Sequence, residues 1–432
     1  MSFDAYPTQP QRIAIVGGGI SGLAAAYLLA PQHAVTLYEA APRLGGHART
    51  VNAGLNGDQP VDTGFIVFNY ANYPHLTRMF TDLDVPVTKS DMTFGASADQ
   101  GRVEYSVQSL GALVAQKRNL LRPGFLRMVR DILRFNARAE ALAKDDLTPL
   151  GDLMDELGTG EWFGRYYLTP LCGAIWSTPT DRIRQFPAQA LVRFFRNHSL
   201  LSGSQQHQWW TVKGGSIEYV SRLTNHLRSR GVALRSGTPV TSVKRTPVGV
   251  TIAAQDCEPE QFDQVIMACH SDQSLALLET PTEAETRALK PLTYQDNTII
   301  LHRDPRQMPR RRSCWSSWVY KADTTRPEPA IGVTYWMNRL QNIPETDPLF
   351  ISLNPSDPIP DEMIYDHNTF RHPVFDTATT TSQNALRDLQ GQNNTWFAGA
   401  YTRHGFHEDG FASAVRIARQ LDATPHFEKV PA

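Results

Sequence analysis

Three glycines near the amino terminus have the spacing that binds a dinucleotide. The segment RIAIVGGGISGLAAAYLLA contains Gly17, Gly19 and Gly22 in the pattern Gly-x-Gly-x-x-Gly. In this pattern the first glycine makes a tight turn, the second lets the backbone approach a pyrophosphate, and the third lets a helix pack on a strand. The β-branched run before the glycines predicts a buried parallel strand, and the residues after them predict a helix whose N-terminus binds phosphate.

A carboxylate follows these glycines at the distance that a dinucleotide site requires. The segment AVTLYEA predicts a second strand that ends at Glu39. This places Glu39 about 20 residues after the glycines, where an acidic side chain accepts hydrogen bonds from ribose hydroxyls. Because a negative charge there disfavours a 2′-phosphate, FAD or NAD is favoured over NADP.

The same N-terminal segment is apolar enough to raise the alternative of a membrane span. The glycines would weaken a spanning helix at its start, and the apolar run is only marginally long enough to cross a bilayer. We therefore favour a strand, turn and helix that form a nucleotide cradle.

The composition indicates an ordinary globular protein without a general attraction to nucleic acid. A chain of 432 residues favours two domains, and the formal net charge is −1. The cysteines lack metal-ligand spacing, so we expect no metal site and a reducing compartment. They are Cys172, Cys257, Cys269 and Cys314. The N-terminal residues MSFDAYPTQPQR lack the features of a secretory signal, so we expect a cytoplasmic protein.

A second glycine pair separates FAD from NAD. The segment AAPRLGGHARTV follows Glu39 and carries Arg43, Gly45, Gly46 and Arg49, and VDTGFIVFN carries Asp62 and Gly64. These segments resemble the flavin-containing amine oxidase and phytoene desaturase superfamily of FAD oxidoreductases. Within that superfamily the chain is similar to a bacterial branch of predicted NAD/FAD-binding proteins. The resemblance implies that the cofactor is FAD, with the two arginines offsetting phosphate charge.

The C-terminal segment NTWFAGAYTRHGFHEDGFASAVRIARQL predicts a strand, a glycine loop and a helix. It is similar to the last FAD motif of the superfamily, which closes over the flavin ring. One position departs from the family, because Ala400 and Tyr401 stand where an acidic residue commonly holds the ribityl chain.

The resemblance implies a set of cofactor-binding residues spread over the whole chain. They are Gly17, Gly19, Ile20, Ser21, Gly22, Glu39, Ala40, Arg43, Gly45, Gly46, Arg49, Thr63, Gly64, Phe65, Val240, Gly399, Glu408, Asp409, Gly410 and Phe411. Because no cysteine follows Cys314, a cysteinyl link at the C-terminal motif is excluded and we expect non-covalent FAD. His47, beside the second glycine pair, is the one residue that argues against this.

The predicted fold is α/β, with a discontinuous Rossmann-type FAD-binding domain and an α+β substrate domain of the amine oxidase type. Residues 1–75, 205–290 and 385–432 are assigned to the FAD-binding domain. Residues 76–204 and 291–384 are assigned to the substrate domain.

Aromatic residues outside the FAD motifs are candidates for an apolar substrate pocket. We assign Trp176, Trp210, Trp318 and Tyr335 to this pocket, although most single aromatics belong to a core. His407 is the candidate proton handler, because an imidazole titrates near neutrality; the alternative is a histidine hydrogen-bonded to its loop. Lys213 is a remote candidate for the lysine that amine oxidases place near the flavin.

A basic segment from Lys117 to Arg138 is interleaved with apolar residues. Arg127, Arg130, Arg134 and Arg138 recur at helical spacing on one face. Such a face is suited to peripheral contact with an anionic membrane. The alternative is a solvated face of the substrate-domain helices.

The resemblance implies transfer of a hydride from a substrate carbon to flavin N5. In the bacterial branch, genes often lie beside genes for fatty-acyl modification, which favours a small apolar substrate with an unsaturated acyl chain that is desaturated, saturated or isomerised. Two alternatives stay open: an amine oxidase or dehydrogenase, and a non-catalytic flavoprotein that serves as a redox partner.

Overall fold

The computed structural model describes most of the chain. The described residues are 9–143, 148–176, 180–198, 201, 207–323 and 331–423. Residues 1–8, which make up most of the N-terminal segment MSFDAYPTQPQR, therefore lie outside the described residues.

The strands are short and spread over the whole described chain. They are β1 (Arg12–Val16), β2 (Ala34–Glu39), β3 (Thr50–Ala53), β4 (Gln59–Asp62), β5 (Val67–Phe68), β6 (Val87–Ser90), β7 (Phe94–Ala98), β8 (Val103–Ser106), β9 (Trp209–Val212), β10 (Ala233–Ser236), β11 (Val240–Thr246), β12 (Gly249–Ala254), β13 (Glu260–Phe262), β14 (Gln264–Met267), β15 (Tyr294–His302), β16 (Trp318–Ala322), β17 (Val333–Trp336), β18 (Phe350–Leu353), β19 (Ile364–Pro373) and β20 (Thr395–Phe397).

The α-helices lie mainly between these strands and in the stretch from residue 110 to residue 197. They are α1 (Ile20–Leu29), α2 (Pro74–Asp82), α3 (Leu110–Leu113), α4 (Pro123–Leu142), α5 (Leu150–Glu156), α6 (Glu161–Phe163), α7 (Thr169–Trp176), α8 (Thr180–Ile183), α9 (Ala188–Asn197), α10 (Ile217–Ser229), α11 (Ser271–Leu277), α12 (Glu283–Leu289), α13 (Met337–Leu340), α14 (Thr377–Asp388) and α15 (His407–Gln420).

A five-stranded parallel sheet forms the nucleotide half of the molecule. Its order is β10-β2-β1-β14-β20, and β1 lies at the centre with Ile15 paired to Leu37 on one side and Ile266 on the other. The β-branched residues of β1 are buried because α1 packs on one face of the sheet and the three-stranded sheet β11-β12-β13 packs on the other. The chain leaves β1 toward β2 on one side and returns as β14 on the other, which creates a topological switch point between β1 and β14.

A seven-stranded mixed sheet forms the other half. Its order is β19-β15-β18-β17-β16-β7-β8, and its pairs are antiparallel except for β16 with β7. The mixed α/β architecture agrees with the predicted fold class. Each sheet is assembled from separate stretches of sequence, as expected for a discontinuous FAD-binding domain. The domain boundaries stay a prediction.

Asp62 joins three segments between the two sheets. Its carboxylate accepts hydrogen bonds from the Thr50 hydroxyl at 2.6 Å, from the Ser216 amide and hydroxyl at 2.7 Å each, and from the Gln341 amide at 3.0 Å. Burial raises the pKa of Asp62 to about 6, although these donors favour the ionised form. The network fixes β3, the start of α10 and α13 relative to one another.

The apolar N-terminal segment is a strand and a helix, as the cradle interpretation predicts. α1 has ten residues, and among the described residues we find no helix with the length and apolarity needed to cross a membrane. Gly22 lies where α1 packs on β1. A Cβ atom at Gly22 would lie 1.9 Å from the backbone oxygen of Gly17, so only glycine fits there.

We predict that Gly22→Ala destabilises the fold strongly. The added methyl group would overlap backbone atoms, which cannot rotate away, so α1 must move off the sheet; overpacking of this kind costs about 3 kcal/mol. Urea unfolding followed by circular dichroism would measure the loss. Gly111→Ala is the matched control, because Gly111 is also helical and the nearest neighbour of an added Cβ is 3.9 Å away. An equal stability for the two variants would contradict the packing argument.

Candidate cofactor and substrate site

A cavity of about 800 Å³ lies at the carboxyl ends of the parallel strands. Residues just after β1 and β14 line it, including Gly17 and Ala268, which places the cavity at the topological switch point. Open α/β sheets bind their ligands at this position. The cavity continues from there to the seven-stranded sheet, where Ile299, Ile351 and Leu353 line it.

The glycine fingerprint shapes the nucleotide end of this cavity. Gly17 has a φ of +114°, and a Cβ atom there would lie 2.8 Å from backbone atoms of Ala268. Gly19 differs, because the atom nearest to an added Cβ is the Gly46 Cα at 4.0 Å. Gly19, Ile20 and Ser21 all line the cavity at the N-terminus of α1. The space beside Gly19 is therefore free of protein atoms and fits a pyrophosphate that approaches the backbone.

The second glycine pair lies directly against the first. The Gly45 amide donates to the Gly18 oxygen at 2.8 Å. Gly46 has a φ of +57°, and a Cβ atom added there would lie 3.0 Å from the Gly19 Cα. Arg43 lines the cavity beside this pair, and its guanidinium donates to the backbone oxygens of Gly46 and Ala48 at 2.8 and 3.2 Å. Because these partners are uncharged, Arg43 brings positive charge to the cradle.

Glu39 occupies the place expected of a ribose partner. Its carboxylate accepts hydrogen bonds from the Gly18 amide at 2.6 Å and the Ala41 amide at 2.7 Å. These contacts fix the side chain and leave further lone pairs on both oxygens. Glu39 and Ala40 line the cavity together with Val240 from β11.

Thr63, Gly64, Phe65 and Gly399 also line the cavity, as expected from the resemblance. Gly64 is held close to the second glycine loop, since a Cβ atom there would lie 2.0 Å from the His47 oxygen. Ala400 and Tyr401 line the cavity as well, so an acidic group is absent from the place where the family commonly has one.

Arg49, which was predicted to offset phosphate charge, contacts other protein groups. It lies outside the cavity lining, and its guanidinium makes two bonds to Asp366 at 2.6 and 2.9 Å and one to Thr63 at 3.2 Å. A bidentate carboxylate partner neutralises the charge that was expected to face phosphate. Arg49 instead attaches the second glycine loop to β19. Gly22 and Gly45 are likewise packing positions outside the lining.

The C-terminal motif residues Glu408, Asp409, Gly410 and Phe411 also lie outside the cavity lining, so their role as cofactor contacts stays a prediction. Glu408 accepts from the His75 and Leu76 amides at 3.0 Å each and so caps α2. Asp409 accepts from the Phe406 amide at 3.0 Å and caps its own helix.

The other two residues of this motif pack against neighbours. An added Cβ at Gly410 would lie 2.8 Å from the Ser21 hydroxyl oxygen, so this glycine lets α15 approach α1. The Phe411 ring is fully buried and meets His75 edge to face at 6.2 Å. The motif therefore positions α15 relative to the cradle.

Of the four aromatics assigned to a substrate pocket, Trp176, Trp318 and Tyr335 line the cavity, and Trp318 meets Tyr335 edge to face at 5.0 Å. Trp210 does not line it, whereas its neighbour Trp209 does. Successive side chains of a strand point to opposite faces, so only one of the two tryptophans of β9 can face inward.

The aromatic end of the cavity contains residues that the sequence did not single out. Phe194 stacks on His198 at 3.8 Å and on Phe406 at 4.8 Å, and all three line the cavity. They come from α9 and from the loop before α15, and their convergence has no local sequence signal.

The charges along the cavity are unevenly distributed. Among the described residues that line it, the acidic residue is Glu39, the arginines are Arg43 and Arg371, and lysine is absent. Lys213 is exposed after β9 and lies outside the lining. Among the described residues, the aromatic end therefore offers uncharged side chains and histidines.

His407 lies at the cavity as the first residue of α15. Its ring stacks on Phe65 at 4.0 Å, and its Nε2 atom is 2.7 Å from the Tyr219 hydroxyl, at hydrogen-bond distance. Burial, with a smaller contribution from His47, lowers the pKa of His407 to about 3. The imidazole is therefore neutral at pH 7, which contradicts the expectation that it titrates near neutrality.

Comparisons with known proteins agree with this geometry. The family model of flavin-containing amine oxidoreductases matches residues 20–339. Bovine protoporphyrinogen oxidase (Bos taurus) is 26% identical over 321 residues, a match that spans 67% of this chain and 66% of that enzyme.

Two solved structures share the fold. A CLA-producing fatty acid isomerase from P. acnes superposes with a TM-score of 0.68 at 16% identity, covering 95% of this chain and 98% of the isomerase. Cyclohexylamine oxidase from Brevibacterium oxydans IH-35A superposes with a TM-score of 0.65 at 16% identity, covering 96% of this chain and 100% of the oxidase. With the family match over most of the sequence, the chain belongs to the flavin-containing amine oxidoreductase family and is an FAD-dependent oxidoreductase.

Proposed function

We propose that this protein removes a hydride from a carbon of an apolar substrate, and that the substrate is an unsaturated acyl chain. The observation that carries the proposal is the lining of the aromatic end of the cavity, which has neither an acidic side chain nor a lysine among the described residues. An alkylammonium ion buried there would lack a counter-ion, and burying an unpaired charge is costly. An acyl chain needs only apolar contact.

The walls of this end are aliphatic and aromatic, which suits an acyl chain. Ile299, Ile351 and Leu353 supply one side from the seven-stranded sheet, and Trp176, Phe194 and Trp209 supply aromatic surface. The fold is shared with an enzyme described as a fatty acid isomerase, which is compatible with this substrate class, and equally with cyclohexylamine oxidase. The cavity lining, and not the fold, therefore favours the acyl chain.

We propose that FAD lies along the nucleotide end, with its pyrophosphate beside Gly19, its ribose at Glu39 and its flavin ring near Gly64 and Phe65. Bound FAD supplies a two-electron acceptor for the hydride. The protein positions the substrate carbon, excludes water with its aromatic walls and places the neutral imidazole of His407 beside the ring of Phe65. A hydride that returns to another carbon of the chain would give isomerisation, whereas transfer to an external acceptor gives net oxidation.

We predict that Gly19→Val abolishes FAD retention but leaves the fold intact. The side chain would project into the space proposed for the pyrophosphate, where protein atoms are 4.0 Å or more from an added Cβ. The flavin absorbance of the purified protein and its circular dichroism would measure the two effects separately. Gly111→Ala is the control for an added carbon at a site remote from the cavity, and it should keep its flavin. A Gly19→Val protein that purifies fully loaded with FAD would exclude the proposed cradle.

We predict that Trp209→Ala lowers kcat/KM for a long unsaturated fatty acid by about 10- to 100-fold, because loss of a buried aromatic contact costs roughly 2 kcal/mol. Trp210→Ala is the matched control. It removes the same side chain from the next position of β9, outside the cavity, and should stay within about twofold of the wild type. Substrate double bonds would be followed by gas chromatography of the extracted acids.

Other substrate classes would give different results in the same experiments. Anaerobic bleaching of the flavin by an amine panel, with no change in any acyl chain, would identify an amine oxidase or dehydrogenase. Flavin that is reduced only by another protein would identify a redox partner. Equal losses for the two tryptophan variants would contradict the assignment of Trp209 to substrate.

We propose further that the face of α4 and the turn before it contact an anionic membrane. Exposed leucines lie among exposed basic residues on this face, and this combination is typical of segments that insert apolar side chains below charged headgroups. The leucines are Leu120, Leu121, Leu126 and Leu133, and Leu110 of α3 is exposed as well. The basic residues are Lys117, Arg118, Arg127, Arg130 and Arg138.

The arginines of this face keep their positions through local contacts. Arg127 and Arg130 both lie within 3.6 Å of the buried carboxylate of Asp131, and Arg134 donates to the Leu157 oxygen at 3.1 Å. A single carboxylate shared by two arginines leaves the face positive. A membrane surface also suits an acyl substrate, which would be taken from the bilayer.

We predict that the double variant Leu121→Glu, Leu133→Glu loses binding to phosphatidylglycerol vesicles, because it removes two exposed apolar contacts and adds repulsion. Co-sedimentation should fall by about fivefold or more, since each lost contact costs roughly 1 kcal/mol. Val248→Glu is the control, because Val248 is 92% exposed on a hairpin remote in sequence from α4. Vesicle binding that is the same for wild type and both variants would exclude this surface as the membrane contact.

A further inference from the structure

Three histidine rings meet at the nucleotide end of the cavity. The ring of His47 lies 6.1 Å from that of His270 and 5.3 Å from that of His372, measured between ring centroids. His47 also stacks on Phe370 at 4.6 Å, which fixes its orientation against β19. All three histidines line the cavity, and they come from three separate stretches of the chain.

The backbone places two of these rings beside the glycine fingerprint. His47 follows Gly46, where an added Cβ atom would lie 3.0 Å from the Gly19 Cα. His270 follows Cys269, whose amide nitrogen would lie 2.9 Å from a Cβ atom added at Gly17. Both rings thus extend from segments that touch the glycines over which the pyrophosphate of a dinucleotide lies.

Two nitrogens of this cluster lack a hydrogen-bond partner among the described residues. The Nε2 atom of His47 and the Nδ1 atom of His270 are buried without a hydrogen bond, whereas the His372 ring lies 3.1 Å from the Asn297 amide. A buried polar atom without a partner is uncommon in a folded protein and costs free energy. Such atoms beside a ligand cavity indicate a group that receives its partner when the ligand binds.

The rings are neutral in the protein alone. Burial lowers the pKa of His47 and of His270 to about 4, and that of His372 to about 3. The neighbouring histidines contribute to the lower values of His270 and His372. At pH 7 an added anion would therefore meet imidazoles that can still accept protons.

Charged and titratable groups face this cluster from every side. The positive charge of Arg371 is balanced by ion pairs with Asp272 at 2.7 Å and Asp296 at 3.3 Å. Arg43 differs, because its hydrogen bonds go to uncharged backbone oxygens. The groups around the cluster are Glu39 and Arg43 after β2, Cys269 and Asp272 after β14, Tyr294 and Asp296 on β15, Arg371 on β19, Tyr401 before α15 and His407 on α15.

We propose that His47, His270 and His372 form a proton-accepting site for the diphosphate of FAD, so that FAD binding takes up protons and is tighter at about pH 6 than at about pH 8. The diphosphate favours the imidazolium form, and the proposed pH dependence requires that it raise the pKa of at least one ring from about 4 in the free protein to about 7 or higher in the complex. The protons come from solvent, and no other reactant is needed. The inference rests on FAD as the cofactor and is independent of the proposed acyl substrate.

The test is release of FAD from the diluted holoenzyme, followed by the rise in flavin fluorescence. Because uptake of one proton changes affinity by up to about tenfold per pH unit, the dissociation constant should be at least about tenfold lower at pH 6 than at pH 8. In His47→Gln and His372→Gln this ratio should fall to about threefold or less. A wild-type ratio near unity, or an unchanged ratio in both variants, would overturn the proposal.

His198→Gln is the matched control. His198 lines the aromatic end of the same cavity, and burial lowers its pKa to about 4 as well. It lies away from the fingerprint, so this variant should keep the pH dependence of FAD release. A loss of that dependence in His198→Gln as large as in His47→Gln would also overturn the assignment.

Proton uptake can be measured without any substitution. Calorimetric titration of the deflavinated wild type in two buffers of different ionisation enthalpy should give proton uptake with FAD and with ADP-ribose, whose diphosphate diester does not itself titrate near neutrality, but not with riboflavin, which lacks the diphosphate. Uptake with riboflavin alone, or with none of the three while FAD binds, would contradict a diphosphate site. Failure of the wild type to bind FAD would contradict the cofactor itself, so the two failures are distinguishable.

Discussion

The site depends on backbone segments that lie too close together for any side chain to separate them. Gly17 touches the segment after β14, Gly22 touches the turn that Gly17 begins, and Gly46 touches Gly19. These contacts bring the ends of β1 and β14 and the second glycine loop to one point. Side chains that follow them, such as His47 and Glu39, are then directed into one cavity by backbone geometry rather than by their own packing.

From this point the cavity changes character along its length. At the nucleotide end, backbone amides, Arg43 and the polar side chain of Glu39 face inward, and at the aromatic end the described lining residues carry no acid or lysine. In a complex with FAD, the negative charge in the cavity would be that of the pyrophosphate. The described lining residues offer charged and polar partners at the nucleotide end, where the pyrophosphate is expected. An uncharged chain suits the other end, because desolvation there would penalise an ion. The buried histidines fit the same pattern, since each is neutral until a charge is placed beside it.

The sequence predicts those parts of the site that depend on local backbone geometry. Gly17, Gly22 and Gly64 could be predicted because a positive φ or a close backbone approach restricts the residue type there, and Glu39 because it ends the strand that follows the glycines. Trp209 lines the cavity in place of the predicted Trp210, because strand alternation is visible in sequence but the face that points inward is not. The ion pair of Arg49 could not be predicted for another reason: its partner, Asp366, lies 317 residues away, and local sequence carries no sign of that pairing.

The C-terminal motif shows how a segment can serve the cavity without lining it. Glu408 binds the N-terminus of α2, Asp409 caps α15, and Gly410 lets α15 approach α1. Burial raises the pKa of Glu408 to about 7 and of Asp409 to about 6, and backbone amides that donate to them hold both side chains in place. Together they fix the first turn of α15, and His407 is the residue of that turn that faces the cavity. The motif therefore sets the positions of the His407 imidazole and of the N-terminus of α15. It does so because Glu408 and Asp409 are held by backbone amides on either side of that turn.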